Sequence, residues 1–284
     1  MSVDKESVRK RLGTLRNVPT LPDIFGKIIP LMESPNAGAQ DIASIISSDQ
    51  ALSAKILRVV NSAFYGFPRR ISNITHALII LGFDVVKGLI LSTAVFDMMK
   101  TGGLHGLWKH SLGCAAAAGV IARKINSSNP DEVSTSALLH DIGKVVIRIE
   151  LPDESTRIDQ VVAEKEISTY DAEEEILGFN HATVGDWLCQ EWHLPAKLAE
   201  PITHHHNPYL SKSALVPTAT VNFADSLTRG IGFGSGGDDL VPQIDPQAWA
   251  ALDIGDSLLE EIIKEIYAKL EEADNFLYGQ GAAI

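Results

Sequence analysis

The chain has 284 residues, of which 45% are apolar and 21% charged, the make-up of an ordinary globular core able to fold alone. Lys and Arg number 24 against 36 Asp and Glu, and the net charge of −12 repels a polyanion such as duplex DNA unless a local basic patch intervenes. The charged start MSVDKESVRKRLG has no apolar stretch of the secretory kind, and Cys114 and Cys189 fall in helical patterns, so a reducing, cytoplasmic setting without a disulfide is expected.

In chain order, Val8, Leu12 and Leu15 repeat at helical spacing, and Pro19 and Pro22 bracket the connector that follows. Asp23 caps a helix carrying Ile24, Ile28, Ile29 and Leu31. Asp41 begins the next, with Ile42, Ile45 and Ile46 on one stripe, and Asp49 caps a further helix with Leu52, Ile56, Leu57 and Val60. The run NSAFYGFP over 61–68 is a loop, since Gly66 and Pro68 stop regular structure. Two helices follow, over 74–81 and 84–99. They hold the one stretch apolar enough to suggest a membrane span, but Asp84 and Lys87 interrupt it at roughly 2.5–3.5 kcal/mol per central charge, so a buried helix pair is expected. No strand-length alternation occurs in the first hundred positions, and residues 1–102 read as an all-α module.

Residues 103–284 also carry helical patterns, over 108–124, 132–149, 154–164, 168–177, 181–192, 195–204 and 216–228. The glycine-rich segment 230–246 reads as a long mobile connection and a candidate lid. It lacks the Gly-Lys-Ser/Thr ending of a phosphate loop. Ser257 and Glu260 form a capping-box pattern ahead of Leu259, Ile262, Ile263, Ile266 and Leu270.

The densest chemical signal is LLHDIGK over 138–144, where His140 and Asp141 are adjacent after an apolar stripe. Imidazole nitrogen with carboxylate oxygen suits Fe, Mn or Zn more than Ca. A lone His-Asp pair is weak evidence. His110 upstream, His181 in GFNHATVG, the triplet His204, His205 and His206, and Asp225 in NFADSL strengthen it, because helices can turn such separated residues inward onto one site.

That order of histidines and aspartates resembles the metal-binding pattern of HD-type phosphohydrolases, most closely their HD-GYP branch. With VPTLPDI at 18–24, SSDQALSAKILRVVNSAFYG at 47–66 and ITHALIILG at 74–82, the chain resembles the HDOD family. The resemblance implies an all-α signalling protein, with an N-terminal helical module over 1–102 packed on an HD-like metal-binding domain over 103–284 that ends in a long helix. It implies one or two ions of Fe, Mn or Zn: Asp141 bridging, His110, His140 and Asp225 on one ion, and His181, His205 and His206 on the other. The ions would generate a nucleophile by lowering the pKa of water to about 7, and Lys144 would face a phosphate oxygen. Asn207 stands where the HD-GYP pattern has Glu, and no Gly-Tyr-Pro motif follows, which puts cyclic-dinucleotide hydrolysis in doubt but not metal binding.

The plainer readings are structural. His76, His105 and His193 read as packing or surface residues, and His204 is open between a ligand and a group behind the ligands. Lys144 is either the phosphate-facing group or a helix C-terminal cation. Phe64, Tyr65 and Phe67, beside Arg69 and Arg70, read as a turn packed on the N-terminal core. Of the helix-turn-helix outlines at 44–61 and 74–91, the helix of the second, over 84–98, offers only Lys87 as an outward basic residue, and with the net negative charge no nucleic acid is expected. Protein partners in a signalling pathway are the leading expectation, with a phosphate-containing small molecule as the alternative ligand.

Overall fold

The computed structural model describes Lys5, Arg9, Ile28, Leu31, Ser34, residues 38–62, Tyr65, Phe67 and residues 70–278. Among these residues every regular element is a helix, so the fold is all-α. Val8, Leu12 and Leu15 of the first helical pattern lie outside the described residues, as do Asp23 with its capping role, Phe64 and Arg69.

Helix α1 (Ala39–Ser48) starts two residues before Asp41, whose carboxylate reaches back to accept the Gly38 N–H at 2.9 Å. Asp41 therefore caps α1 from inside its first turn. Asp49 caps α2 (Gln50–Val60) by accepting the Leu52 N–H, and Asn73 caps α3 (Ile74–Thr101) by accepting that of His76. At Gly82 the φ of 82° breaks α3 into the two expected segments, a backbone state that glycine adopts without steric cost. Residues 74–99 are long and apolar enough to cross a membrane, with a mean hydropathy of 2.0, yet 72% of that window is buried inside the protein. Lys87, the cation considered for an outward basic face, is buried and donates to the His193 carbonyl at 3.1 Å.

The second half is built around α4 (His105–Lys124), buried on nearly all sides from His110 to Ala122. Its run Ala115–Gly119 lacks bulk and lets α5 (Pro130–Leu139), α11 (Leu215–Ile231) and α13 (Asp256–Tyr278) approach closely. Between them run α6 (Ile142–Glu150), α7 (Pro152–Lys165), α8 (Thr169–Leu177), α9 (His181–Glu191), α10 (Ala196–His204), a 3₁₀ turn at Pro208–Leu210, and α12 (Pro246–Leu252). The apolar core runs without interruption across residue 102, from Ile28 to Ala273. Tyr65 joins the two halves: buried and stacked on Phe67, it meets Thr135 Oγ1 of α5 at 2.9 Å.

Three expectations need correction. The single helix read over 132–149 is two, α5 and α6, separated at His140–Asp141, so Lys144 lies in the first turn of α6 and cannot be a C-terminal cation. The long helix α13 begins at Asp256, which places Ser257 inside its first turn and not at the cap. The connection read over 230–246 is shorter, 232–245, because α11 runs on to Ile231 and α12 begins at Pro246, with Asp245 accepting two first-turn N–H groups.

Glu200 of α10 organises the turn into α11. Its carboxylate accepts from Ser211 Oγ at 2.5 Å, from Ser213 N and Oγ at 2.9 and 2.8 Å, and from Ala214 N at 2.9 Å. Burial alone would raise its pKa, but these donors lower it to about 2 from the usual 4.5. A depressed carboxyl pKa contributes stability that is full above 4.5 and is lost as pH falls towards 2. Glu200→Gln is therefore expected to cost about 1–2 kcal/mol at pH 7, a figure reduced for the group's exposure to solvent. In urea unfolding, the gap between variant and parent should shrink from pH 4.5 to pH 3; a gap independent of pH would contradict the assignment.

Candidate metal centre

The break between α5 and α6 builds the site. Gly143, in the first turn of α6, packs so closely on the His181 carbonyl oxygen that a Cβ there would lie inside its van der Waals radius. This contact brings the α5–α6 corner against the start of α9, which Asn180 caps by accepting the Thr183 N–H. His110 reaches the same space from α4, Asp225 from α11, and His205 and His206 from the end of α10. Asn222 of α11 holds that end by donating to the His205 carbonyl at 2.8 Å.

Asp141 stands in the middle. Its Oδ2 lies 3.3 Å from His140 Nε2 and 3.6 Å from His110 Nε2, and its Oδ1 lies 3.3 Å from His181 Nε2 and 3.9 Å from His205 Nε2. His110 Nε2 is 3.1 Å from Asp225 Oδ1, and His181 Nε2 is 2.9 Å from His206 Nε2. Three groups of ligand atoms result, each within 4.8 Å: His110, Cys114, His140 and Asp225; His181, His205 and His206; and His140, Asp141 and His205.

The outer contacts aim the rings. His140 Nδ1 donates to the Ala137 carbonyl at 2.7 Å and His205 Nδ1 to that of Ile202 at 2.8 Å, so each Nε2 faces inward. His181 Nδ1 lies 2.6 Å from Glu173 Oε2, which also accepts the His181 backbone N–H at 2.7 Å. Burial pushes the Glu173 carboxyl up to about 8, so near neutrality one proton sits between carboxyl and imidazole. Tyr170 covers the other flank, its ring 4.6 Å from that of His206, and Asn207 donates to its hydroxyl.

Burial, the largest influence, lowers the pKa of His110, His181 and His206 and takes His205 down to about 4, leaving neutral imidazoles with free lone pairs. His140 is also pushed down by burial, but Asp141 and Asp225 together outweigh this and raise it. Burial favours neutral Asp141 and Asp225, yet the surrounding cations and imidazoles hold both below the usual carboxylate range. Burial, then the Asp225 charge, raises the Cys114 thiol.

The residues fit a metal. His140 Nε2, Asp141 Oδ1, His205 Nε2 and Asp225 Oδ1 are buried without a hydrogen-bond partner, and they point into one space. Leaving that many inward-facing acceptors unpaired would cost about 1–3 kcal/mol each, and a cation satisfies them together. His204 belongs to none of the three groups, and His76, His105 and His193 are exposed.

Lys144 donates to Asp141 Oδ2 and to the Gly236 carbonyl, both at 2.8 Å. The glycine-rich segment is pinned beside the site: Ser235 N–H donates to the Gly106 carbonyl, Asp238 accepts the Thr169 N–H, and Arg229 pairs with Asp238. The reading of the sequence missed Glu173, Tyr170 and the position of Cys114. Glu173 had a signal, since it shares the buried face of α8 with Ala172 and Leu177, where a lone acid is out of place.

The family model of the HDOD domain matches residues 18–208, about two thirds of the chain. The chain belongs to the HDOD domain family. An uncharacterised protein of Treponema pallidum (strain Nichols) is 28% identical over 221 residues, 75% of this chain and 42% of that protein, so the chain spans about two fifths of that relative's length. An HDOD domain protein of unknown function from Geobacter sulfurreducens has a similar structure, with a TM-score of 0.70 at 27% identity, covering 96% of this chain and 99% of that one. A candidate phosphohydrolase from Shewanella amazonensis SB2B shares the fold, with a TM-score of 0.65 at 20% identity over 93% of this HDOD chain and 97% of its own.

Proposed function

We propose that this HDOD protein is a cytoplasmic signalling module whose HD-like half holds two transition-metal ions, Fe, Mn or Zn, and whose main activity is the binding of protein partners. The observation that carries the metal reading is Asp141, a buried carboxylate with one oxygen towards His110 and His140 and the other towards His181 and His205. His110, His140 and Asp225 would hold one ion, and His181, His205 and His206 the other. The exposed apolar run around the Gly82 bend supports the partner reading: Ile79, Ile80 and Phe83 are 70%, 44% and 37% exposed.

Hydrolysis of a phosphoester is the second reading, favoured by Lys144 at the edge of the centre. Bound ions would supply Lewis acidity and a water of lowered pKa. Lys144, by leaving the Gly236 carbonyl, would reach a phosphate oxygen and offset its developing charge.

An assay of metal-loaded protein on bis(p-nitrophenyl) phosphate separates the two. The partner reading expects no turnover above a protein-free metal control. Turnover that falls on the order of 100-fold or more in Lys144→Ala, at unchanged metal content, would establish the hydrolase.

A further inference from the structure

Cys114 follows His110 by one turn of α4, fully buried, with Sγ 3.5 Å from His110 Nε2 and 3.8 Å from Nδ1. Resting on the metal-centre reading, we propose that Cys114 is a thiolate ligand of the ion held by His110, His140 and Asp225. That half of the centre is then a mixed nitrogen, oxygen and sulfur site, better suited to Zn(II) or Fe(II) than to Mn(II).

Positions i and i+4 share one helix face, so the sulfur and the imidazole point the same way. A nitrogen and a sulfur bound to one ion, at about 2.1 and 2.3 Å, lie about 3.1–3.8 Å apart for angles at the metal of roughly 90–120°. The observed separation of 3.5 Å matches this. Cys114 Sγ lies within 4.8 Å of a ligand atom from each of His110, His140 and Asp225. Of these residues, His140 has a buried Nε2 with no hydrogen-bond partner, and Asp225 Oδ1 faces only the His110 ring, at 3.1 Å, which marks the space as one suited to a cation. Cys189 provides the contrast: equally buried on α9, it belongs to none of these groups. On binding, the Cys114 S–H bond breaks, its proton passes to solvent, the sulfur–metal bond forms, and no oxidation state changes.

The test loads the full chain with Co(II) and records its absorption. The parent protein and Cys189→Ser are expected to show a sulfur-to-cobalt charge-transfer band in the near ultraviolet, while Cys114→Ser loses it and keeps the weaker visible bands of bound cobalt. Visible bands without the ultraviolet band in the parent, or an ultraviolet band that survives in Cys114→Ser, would overturn the assignment but leave the metal centre standing. No cobalt uptake by the parent would overturn both. Should Cys114→Ser fail to fold, X-ray absorption at the zinc edge of Cys189→Ser decides: one sulfur per chain at about 2.3 Å, averaging to about half a sulfur per zinc when both positions are filled, supports Cys114 as ligand, and a shell of nitrogen and oxygen alone refutes it.

Discussion

Asp141→Asn is expected to abolish binding of one ion and to weaken the other on the order of 100-fold or more, beyond the effect of losing a group behind the ligands. The substitution keeps the side chain's volume but removes the charge that faces four imidazoles, at 3.3 to 3.9 Å. It also replaces one inward oxygen by an NH₂ group, which has no lone pair for a metal. Lys144 would lose the charge of its carboxylate partner, with a neutral amide in its place beside the Gly236 carbonyl, so some loss of stability accompanies the loss of metal. Competition titration with a chromophoric chelator measures both affinities. Two sites of unchanged affinity in a folded Asp141→Asn protein would show that Asp141 does not bridge.

Gly143→Ala is expected to destabilise the protein by about 3 kcal/mol or more, although glycine to alanine within a helix ordinarily stabilises by about 1 kcal/mol. The sign therefore reports the environment. An added methyl at this position runs into the His181 carbonyl, which is backbone and cannot rotate away. Relief requires α6 to part from α9, carrying Asp141 away from His181. Thermal unfolding should fall by roughly 6–12 °C, at about 2–4 °C per kcal/mol for a chain of this size. An unchanged or raised midpoint would mean that the corner is pliable and does not fix the geometry of the site.

Most helices were legible because their apolar positions keep helical spacing between clear stops, as in α2 with Asp49 before it and α9 with Asn180 before it. The break at His140–Asp141 was not, since Leu138, Leu139, Ile142 and Val145 continue one apolar stripe through it and no proline marks it. Tertiary contact of Gly143 with His181 imposes that break, and no local propensity encodes such a contact. Helix α12 did carry its signal, Asp245 before Pro246, but the glycine-rich run ahead of it dominated the reading.

For the candidate site, the resemblance implied Asp141 and six other ligands, and in the structure four of those, His110, His140, His181 and His205, lie within 3.9 Å of its carboxylate, with Asp225 beside His110 and His206 beside His181. Spacing could not give the register of His204, His205 and His206, which depends on where α10 ends. Cys114 was read as packing because a buried cysteine usually is, and only its closeness to His110 distinguishes it from Cys189.

The most direct test of the central claim is the metal content of the purified, untagged chain after anaerobic reconstitution, by elemental analysis together with native mass spectrometry. Two ions of Fe, Mn or Zn per chain, lost in a His140→Ala, Asp141→Ala double variant, are the predicted result. No bound metal in a folded parent protein would contradict the account and leave its histidines as a buried polar core with no ion to hold.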